Sequence, residues 1–176
     1  MKIYKLRFDG TNYKNLYPCE DKDADFYRMF DGTSYIETWE KLDLTYLDEE
    51  EGLKEGNYTY LFMPIVDKAA LNILQALIGE DAELLPMMRG NEEVYGINVL
   101  TLLDALDYEK SECVKFSDGK IMAIRRYAFI ENEVQGRHIF KLSDESHGAP
   151  FVSEYFKKIV EENGLTGFKF ELVWDD

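Results

Sequence analysis

The sequence predicts an α+β fold with a mixed or mainly antiparallel sheet and two principal helices. Three observations predict it. Strand-like segments outnumber helical ones, and the two are not regularly interleaved as in a doubly wound fold. Two stretches combine a capping residue, an apolar stripe at helical spacing and a terminating glycine. The chain closes on Phe168-Lys169-Phe170-Glu171-Leu172-Val173-Trp174, an alternation with the period of a half-buried strand.

The elements can be justified in order. Residues 2–8 place Tyr4, Leu6 and Phe8 on one face if extended, and Asp9-Gly10 and Asp31-Gly32 read as turns. Tyr35, Ile36 and Trp39 open a mixed segment expected to be helical through 44, with Trp39 as a packing residue. Residues 58–65 read as a strand entering a helix capped by Asp67, striped by Ala70, Ile73, Leu74, Leu77 and Ile78, and ended by Gly79. Glu83 to Met88 returns as a strand, with Pro86 placing it at an edge or bulge. Val94 to Val99 adds another, and 100–108 is either a short helix or an extended turn. Asp118-Gly119 separates the two arms of a hairpin, 113–117 and 120–130. His138 to Leu142 is strand-like. Ser153 caps a second helix that turns Phe156, Ile159 and Val160 inward and ends at Gly164.

The 176 residues are 45% hydrophobic and 14% aromatic, enough for one well-buried core. A single domain over 1–176 is expected; if the chain divides into two small lobes, the boundary falls near 56–64. Cys19 and Cys113 form no CxxC motif and read as free thiols. The start, Met1-Lys2-Ile3-Tyr4-Lys5-Leu6, lacks the apolar run of a secretory signal. No run is long enough to cross a bilayer, so cytoplasmic residence is expected.

Charge carries the clearest functional lead. Thirty-five acidic side chains face 20 basic ones, for a formal charge of -15. Such a surface repels nucleic acid and anionic membrane and attracts basic partners. The acidity is uneven: residues 19–59 carry -9, whereas 1–18 and 114–142 each carry +3. Its densest point is Asp48-Glu49-Glu50-Glu51, with Glu55 close behind. These carboxylates repel one another and prefer solvent or a compensating partner; EF-hand spacing is absent.

No reaction centre is legible. His138 lies in a strand-like run and reads as a structural polar side chain; His147 sits in a loop beside Ser146 without forming a triad signature. Neither a GxGxxG nor a Walker-A pattern occurs. Arg125 and Arg126 fall on opposite faces of an extended strand, so they do not make one nucleic-acid patch. No cofactor or metal is expected.

Several short motifs, in order, carry a resemblance. They are Glu83-Leu84-Leu85-Pro86, Tyr95 to Leu100, Asp104 to Ser111, His138 to Leu142, Phe151 to Glu154 and Gly164 to Gly167. From about residue 60 onward the chain resembles the bacterial polymorphic-toxin immunity protein family 11. The resemblance implies a protein that binds and neutralises a cognate bacterial toxin stoichiometrically, without turnover. It also marks Pro86, Asn98, Asp104, Asp107, Ser111 and Phe140 as scaffold positions, with Asn98 and Ser111 expected to bond local backbone. An acidic inhibitor suits a basic, nuclease-like toxin. Glu49, Glu50, Glu51 and Glu55 are the candidate acidic face, and Trp39 and Tyr46 the candidate aromatic contributors. The alternatives are an enzyme with a composite site drawn from distant residues, and a structural or regulatory binding module.

Overall fold

Alternation along the first strand, β1 (Lys2–Phe8), sets the layering. Tyr4 and Leu6 face one apolar cluster and Ile3 faces another, because successive strand side chains point to opposite faces. The computed structural model describes residues 1–47 and 52–176.

β2 (Leu16–Pro18), the short helix α1 (Ala24–Arg28) and β3 (Asp43–Tyr46) follow. β4 (Tyr58–Tyr60) and β5 (Pro64–Val66) form a hairpin that runs into α2 (Lys68–Ile78). Next come β6 (Ala82–Arg89) and β7 (Glu92–Val99), an antiparallel pair, and the short β8 (Leu102–Leu103). β9 (Glu112–Lys115) and β10 (Ile121–Arg126) make a separate ribbon, followed by α3 (Glu131–Val134) and β11 (Ile139–Leu142). β12 (Phe151–Ser153), α4 (Glu154–Glu162) and β13 (Phe168–Asp175) close the chain.

One sheet has the order β13-β1-β12-β11-β8, the other β2-β3-β6-β7-β5-β4. Pairing is antiparallel except at β11–β8 and β3–β6. This is the expected α+β architecture with α2 and α4 as its two principal helices.

Both sheets bury side chains on two faces. Tyr4, Leu6, Ile139 and Val152 of the first sheet and Val66, Ile97 and Val99 of the second meet α2 and α4 in a central cluster. The alternate residues serve two outer clusters. Ile65, Leu85 and Val94 pack with Phe30, Leu44 and Phe62; Ile3, Phe140 and Phe151 pack with Phe129. Each large side chain so buried contributes about 1.5–3 kcal/mol of transfer free energy. The helix caps are as expected: Asp67 accepts from the Ala70 N–H and Ser153 from the Phe156 N–H.

Several local readings change. No helix spans 35–44. That stretch makes one turn and then extends into β3, because long-range bonds draw it onto β6: Met88 N–H donates to the Leu42 carbonyl at 2.8 Å and the Trp39 indole donates to the Pro86 carbonyl. The helix α1 was not anticipated, although Asp23 caps it by accepting from Phe26 N–H. Residues 58–65 are two strands and a turn, not one strand. Asn98 and Ser111 bond distant rather than local backbone: Asn98 donates to the Thr33 carbonyl and Ser111 to that of Ala128.

The expected edge or bulge at Pro86 is not found: β6 lies inside a six-stranded sheet and runs in unbroken register with β7. β3 pairs with β6 only at Met88 and Arg89, so Pro86, whose ring nitrogen has no hydrogen to donate, faces no strand on that side. There its carbonyl accepts from the Trp39 indole at 2.9 Å.

The two sheets are joined near Gly167. Its φ is 87°, and a Cβ there would run into the Tyr58 carbonyl, so only glycine fits. Beside it Asn57 accepts from the Thr166 N–H at 3.0 Å and donates to Asp67 at 2.8 Å, linking the α2 cap to the turn before β13.

Candidate functional site

The parallel register of β3 on β6 carries Tyr46 just past Arg89, at the tip of the β6–β7 hairpin. Arg89 donates from Nη1 to the Tyr46 hydroxyl at 2.9 Å and from Nη2 to Glu92 at 2.5 Å. The Tyr46 ring lies between two cations, with Lys14 Nζ 5.3 Å and Arg89 Cζ 5.9 Å from its centre. Each such contact is worth roughly 0.5–1 kcal/mol where partly exposed. Burial pushes the Tyr46 phenol above its ordinary pKa, Arg89 opposes that, and Glu55 adds to it. The phenol therefore stays neutral near pH 7.

The candidate acidic stretch begins and ends here. The chain leaves β3 at Tyr46 and is pinned again at Lys54, whose carbonyl accepts from Lys14 N–H at 2.8 Å and whose N–H donates to Asn12 at 3.2 Å. Exposed Glu55 follows. Glu49, Glu50 and Glu51, with Asp48, lie outside the described residues. Trp39 is half-buried, packed with Phe26 and Phe30 in the same outer cluster that Tyr46 joins. The structure thus groups Tyr46 and Glu55 closely and places Trp39 further along β6, beside Pro86.

A second set of charged contacts lies beside the first on the same hairpin. Lys41 pairs with Glu93 at 2.6 Å, Tyr95 donates to Glu93, and Lys68 reaches the Tyr95 hydroxyl at 3.4 Å. The Lys41 ammonium, then the Tyr95 hydroxyl, holds the Glu93 carboxyl below its ordinary value. Lys68, Glu93 and Tyr95 line an open depression of about 440 Å³ together with Asp67, Ala69, Arg89 and Glu92. Exposed ion pairs of this kind add about 0–1 kcal/mol each to the fold; their larger effect is on encounter with a charged partner.

Sequence reasoning missed Lys14, Arg89, Glu92, Glu93 and Tyr95. One signal was available. Arg89-Gly90-Asn91-Glu92 is a two-residue hairpin turn, and it sets Arg89 opposite Glu92. The cation pair around Tyr46 depends on contacts between segments distant in sequence.

His138 Nδ1 lies 2.9 Å from Ser153 Oγ, the oxygen that caps α4 by accepting from Phe156 N–H, and among the described residues no carboxylate is hydrogen-bonded to the imidazole; the pair belongs to the helix cap. His147 is exposed, and its charge is felt only weakly by Asp31. Cys19 and Cys113 are free thiols. Among the described residues no group of three His, Cys, Asp or Glu side chains is placed to hold a metal ion, and no helix is long and apolar enough to cross a membrane.

Fold and surface together define an α+β protein that carries an aromatic ring among paired charges on its surface. The model of the Immunity protein family (Imm11) matches residues 87–175, just over half of the chain, and the chain belongs to that bacterial family. The match begins inside β6 and runs through β13, so it takes in Arg89, Glu92 and Glu93 but not Tyr46 or Glu55. No curated protein matches the chain significantly. Membership implies a cognate toxin as partner and is consistent with action by binding rather than turnover.

Proposed function

We propose that this protein neutralises a cognate bacterial toxin by forming a stoichiometric complex with it in the cytoplasm. The toxin presents a basic surface, as a protein that binds nucleic acid does. The contact face of this chain comprises Tyr46, Glu55, the intervening Glu49, Glu50 and Glu51, and the partly exposed edge of Trp39. One observation supports this reading most: the acidic stretch is bounded by Tyr46 on one side and the Lys54–Lys14 pairing on the other, next to the Arg89–Glu92 pair. The carboxylates would speed encounter, and the aromatic groups would supply the desolvated centre that tight inhibition needs.

The test is binding to the toxin-like product encoded beside the gene, together with protection of cells expressing it. Replacing Glu49, Glu50, Glu51 and Glu55 with lysine should slow association about tenfold or more at low salt, with less effect at high salt. An unchanged association rate rejects this face. Absence of both binding and protection with every neighbouring toxin-like product rejects the function.

A further inference from the structure

The chain's charge has a local exception. Between β10 and the β1–β13 pair runs a cleft of about 410 Å³ in which Arg7, Arg125 and Arg126 converge. Its floor is fixed: Lys5 donates to Glu145 at 3.0 Å and to the Tyr127 hydroxyl at 2.8 Å, and that hydroxyl donates to Glu145 at 2.8 Å. Lys5 is thereby neutralised, and Arg7 is matched by Glu171 at 2.8 Å.

The two arginines of β10 are different. Arg125 faces Glu112 at 3.8 Å with both side chains well exposed. Arg126 donates to the neutral Lys110 carbonyl at 3.3 Å and, among the described residues, has no carboxylate at ion-pair distance. A surplus of positive charge therefore points into a cleft on a protein of net charge -15.

The expected placement of Arg125 and Arg126 on opposite faces does not hold, because β10 is not a regular strand. Its register on β9 slips twice, between Ile121 and Ala123 and between Ile124 and Arg126, and both arginines line the cleft. The residues left without a cross-strand partner are Met122 and Arg125, and both line the cleft. Bulges re-aim side chains and recur beside functional sites. They also turn Ile121, Ile124 and Tyr127 inward at a spacing of three, where they hold the ribbon on the outer cluster.

The opposite wall is formed by Lys5 and Arg7 of β1 together with Glu171, Leu172 and Val173 of β13, the end strand of its sheet. Among the described residues the outer edge of β13 makes no backbone hydrogen bond, so its N–H and C=O groups are available to an added strand. Met122 and Leu172 stand on the two walls at 54% and 50% exposure, offering apolar contacts between the arginines and that edge.

We infer that this cleft is a docking slot for an extended, acidic polypeptide segment of a partner protein. The segment pairs its backbone with β13, sets its carboxylates against Arg125 and Arg126, and covers Met122 and Leu172 with alternate apolar side chains. A long nucleic acid meets the repulsion of the whole molecule, whereas a short acidic segment meets mainly the cleft, because screening confines the field to about 8 Å at physiological salt. The slot does not depend on the toxin-facing reading, since none of its residues belongs to that face.

The probe is a labelled ten-residue peptide alternating Glu or Asp with Leu or Val, titrated with the full chain by fluorescence anisotropy. Saturable binding is expected. The Arg125→Glu/Arg126→Glu variant should weaken it at least about tenfold, and Met122→Ser/Leu172→Ser by a smaller factor. Methylating alternate probe amides on the edge that meets β13 should also weaken it. These four side chains are at the surface, and an unchanged melting curve for each variant confirms that the fold survives; if either variant melts lower, Arg126→Gln replaces it and must still weaken binding. Absence of saturable binding overturns the proposal. So does equal affinity for wild type and arginine variant, insensitivity to both methylation registers, or tighter binding of a ten-nucleotide single-stranded DNA than of the peptide.

Discussion

Lys141 is the buried cation whose surroundings oppose its charge. It is 4% exposed on β11, and its amine donates to the Phe30 carbonyl at 2.6 Å and the Ser146 carbonyl at 2.9 Å. Burial pushes its pKa down to about 8, against a weaker opposing pull from Asp31. Carbonyl dipoles satisfy the N–H groups without supplying a counter-charge, which is why desolvation wins. In the unfolded chain the same amine titrates near 10.4. Between those values the unfolded state binds more protons, so this group makes stability rise with pH. Below about pH 8 the full penalty is present; it is relieved as pH approaches 10. The stability of the wild type relative to Lys141→Met should therefore increase by about 1–3 kcal/mol from pH 8 to pH 10. Urea unfolding of both chains at the two pH values measures it, and a constant difference would reject a depressed lysine.

At the scale of elements, the α2 cap shows how a local signal gains a distant role. Asp67 accepts from Ala70 N–H through one oxygen and from the Asn57 amide through the other, both at 2.8 Å. Asn57 in turn holds Thr166, next to the glycine that touches Tyr58. Asp67→Ala should cost about 1–2 kcal/mol, at the upper end for an N-cap because Asn57 loses a partner too. Thermal unfolding should show that loss to exceed the loss from Asp23→Ala, whose carboxylate caps the short α1 through its bond from Phe26 N–H. The cap itself was legible in sequence, as were the Asp118-Gly119 turn, the stripe of α2 and the alternation of β13, since each is a relation among neighbours. The misread segment 35–44 is governed by β6, with Trp39 bonded to Pro86 47 residues away, and the position of Asn98 by Thr33 across 65 residues. Of the candidate face, Tyr46 and Glu55 were legible as aromatic and acidic residues; that Arg89 and Lys14 flank the Tyr46 ring was not, because β-register brings them there.

Over the whole molecule, the pairing of β1 makes the two ends of the sequence one structure. β1 lies between β13 and β12 and matches β13 from Lys2–Asp175 to Phe8–Phe168. The family-matching region 87–175 thus contributes β13 and β12 to a sheet whose strand between them comes from residues 2–8. The same region lacks α2, which supplies Ala70, Leu71, Leu74 and Ile78 to the central cluster. A lobe boundary near 56–64 would also cut through β4, where Tyr58 N–H donates to Thr166 at 3.2 Å and the Tyr58 ring stacks on Phe168. We propose that residues 1–176 unfold as one unit. A fragment spanning 87–176 would leave β13 and β12 without their shared neighbour and expose the inner faces of Ile97, Ile139 and Val152. Losing four helix side chains alone forfeits several kcal/mol of burial, a large share of the roughly 5–15 kcal/mol that stabilises an ordinary domain. The expected outcome is a single urea transition for the full chain, coincident by tryptophan fluorescence and circular dichroism, and a fragment with collapsed amide dispersion in its NMR spectrum. A well-dispersed spectrum from the fragment, or two separate transitions in the full chain, would instead establish independent lobes.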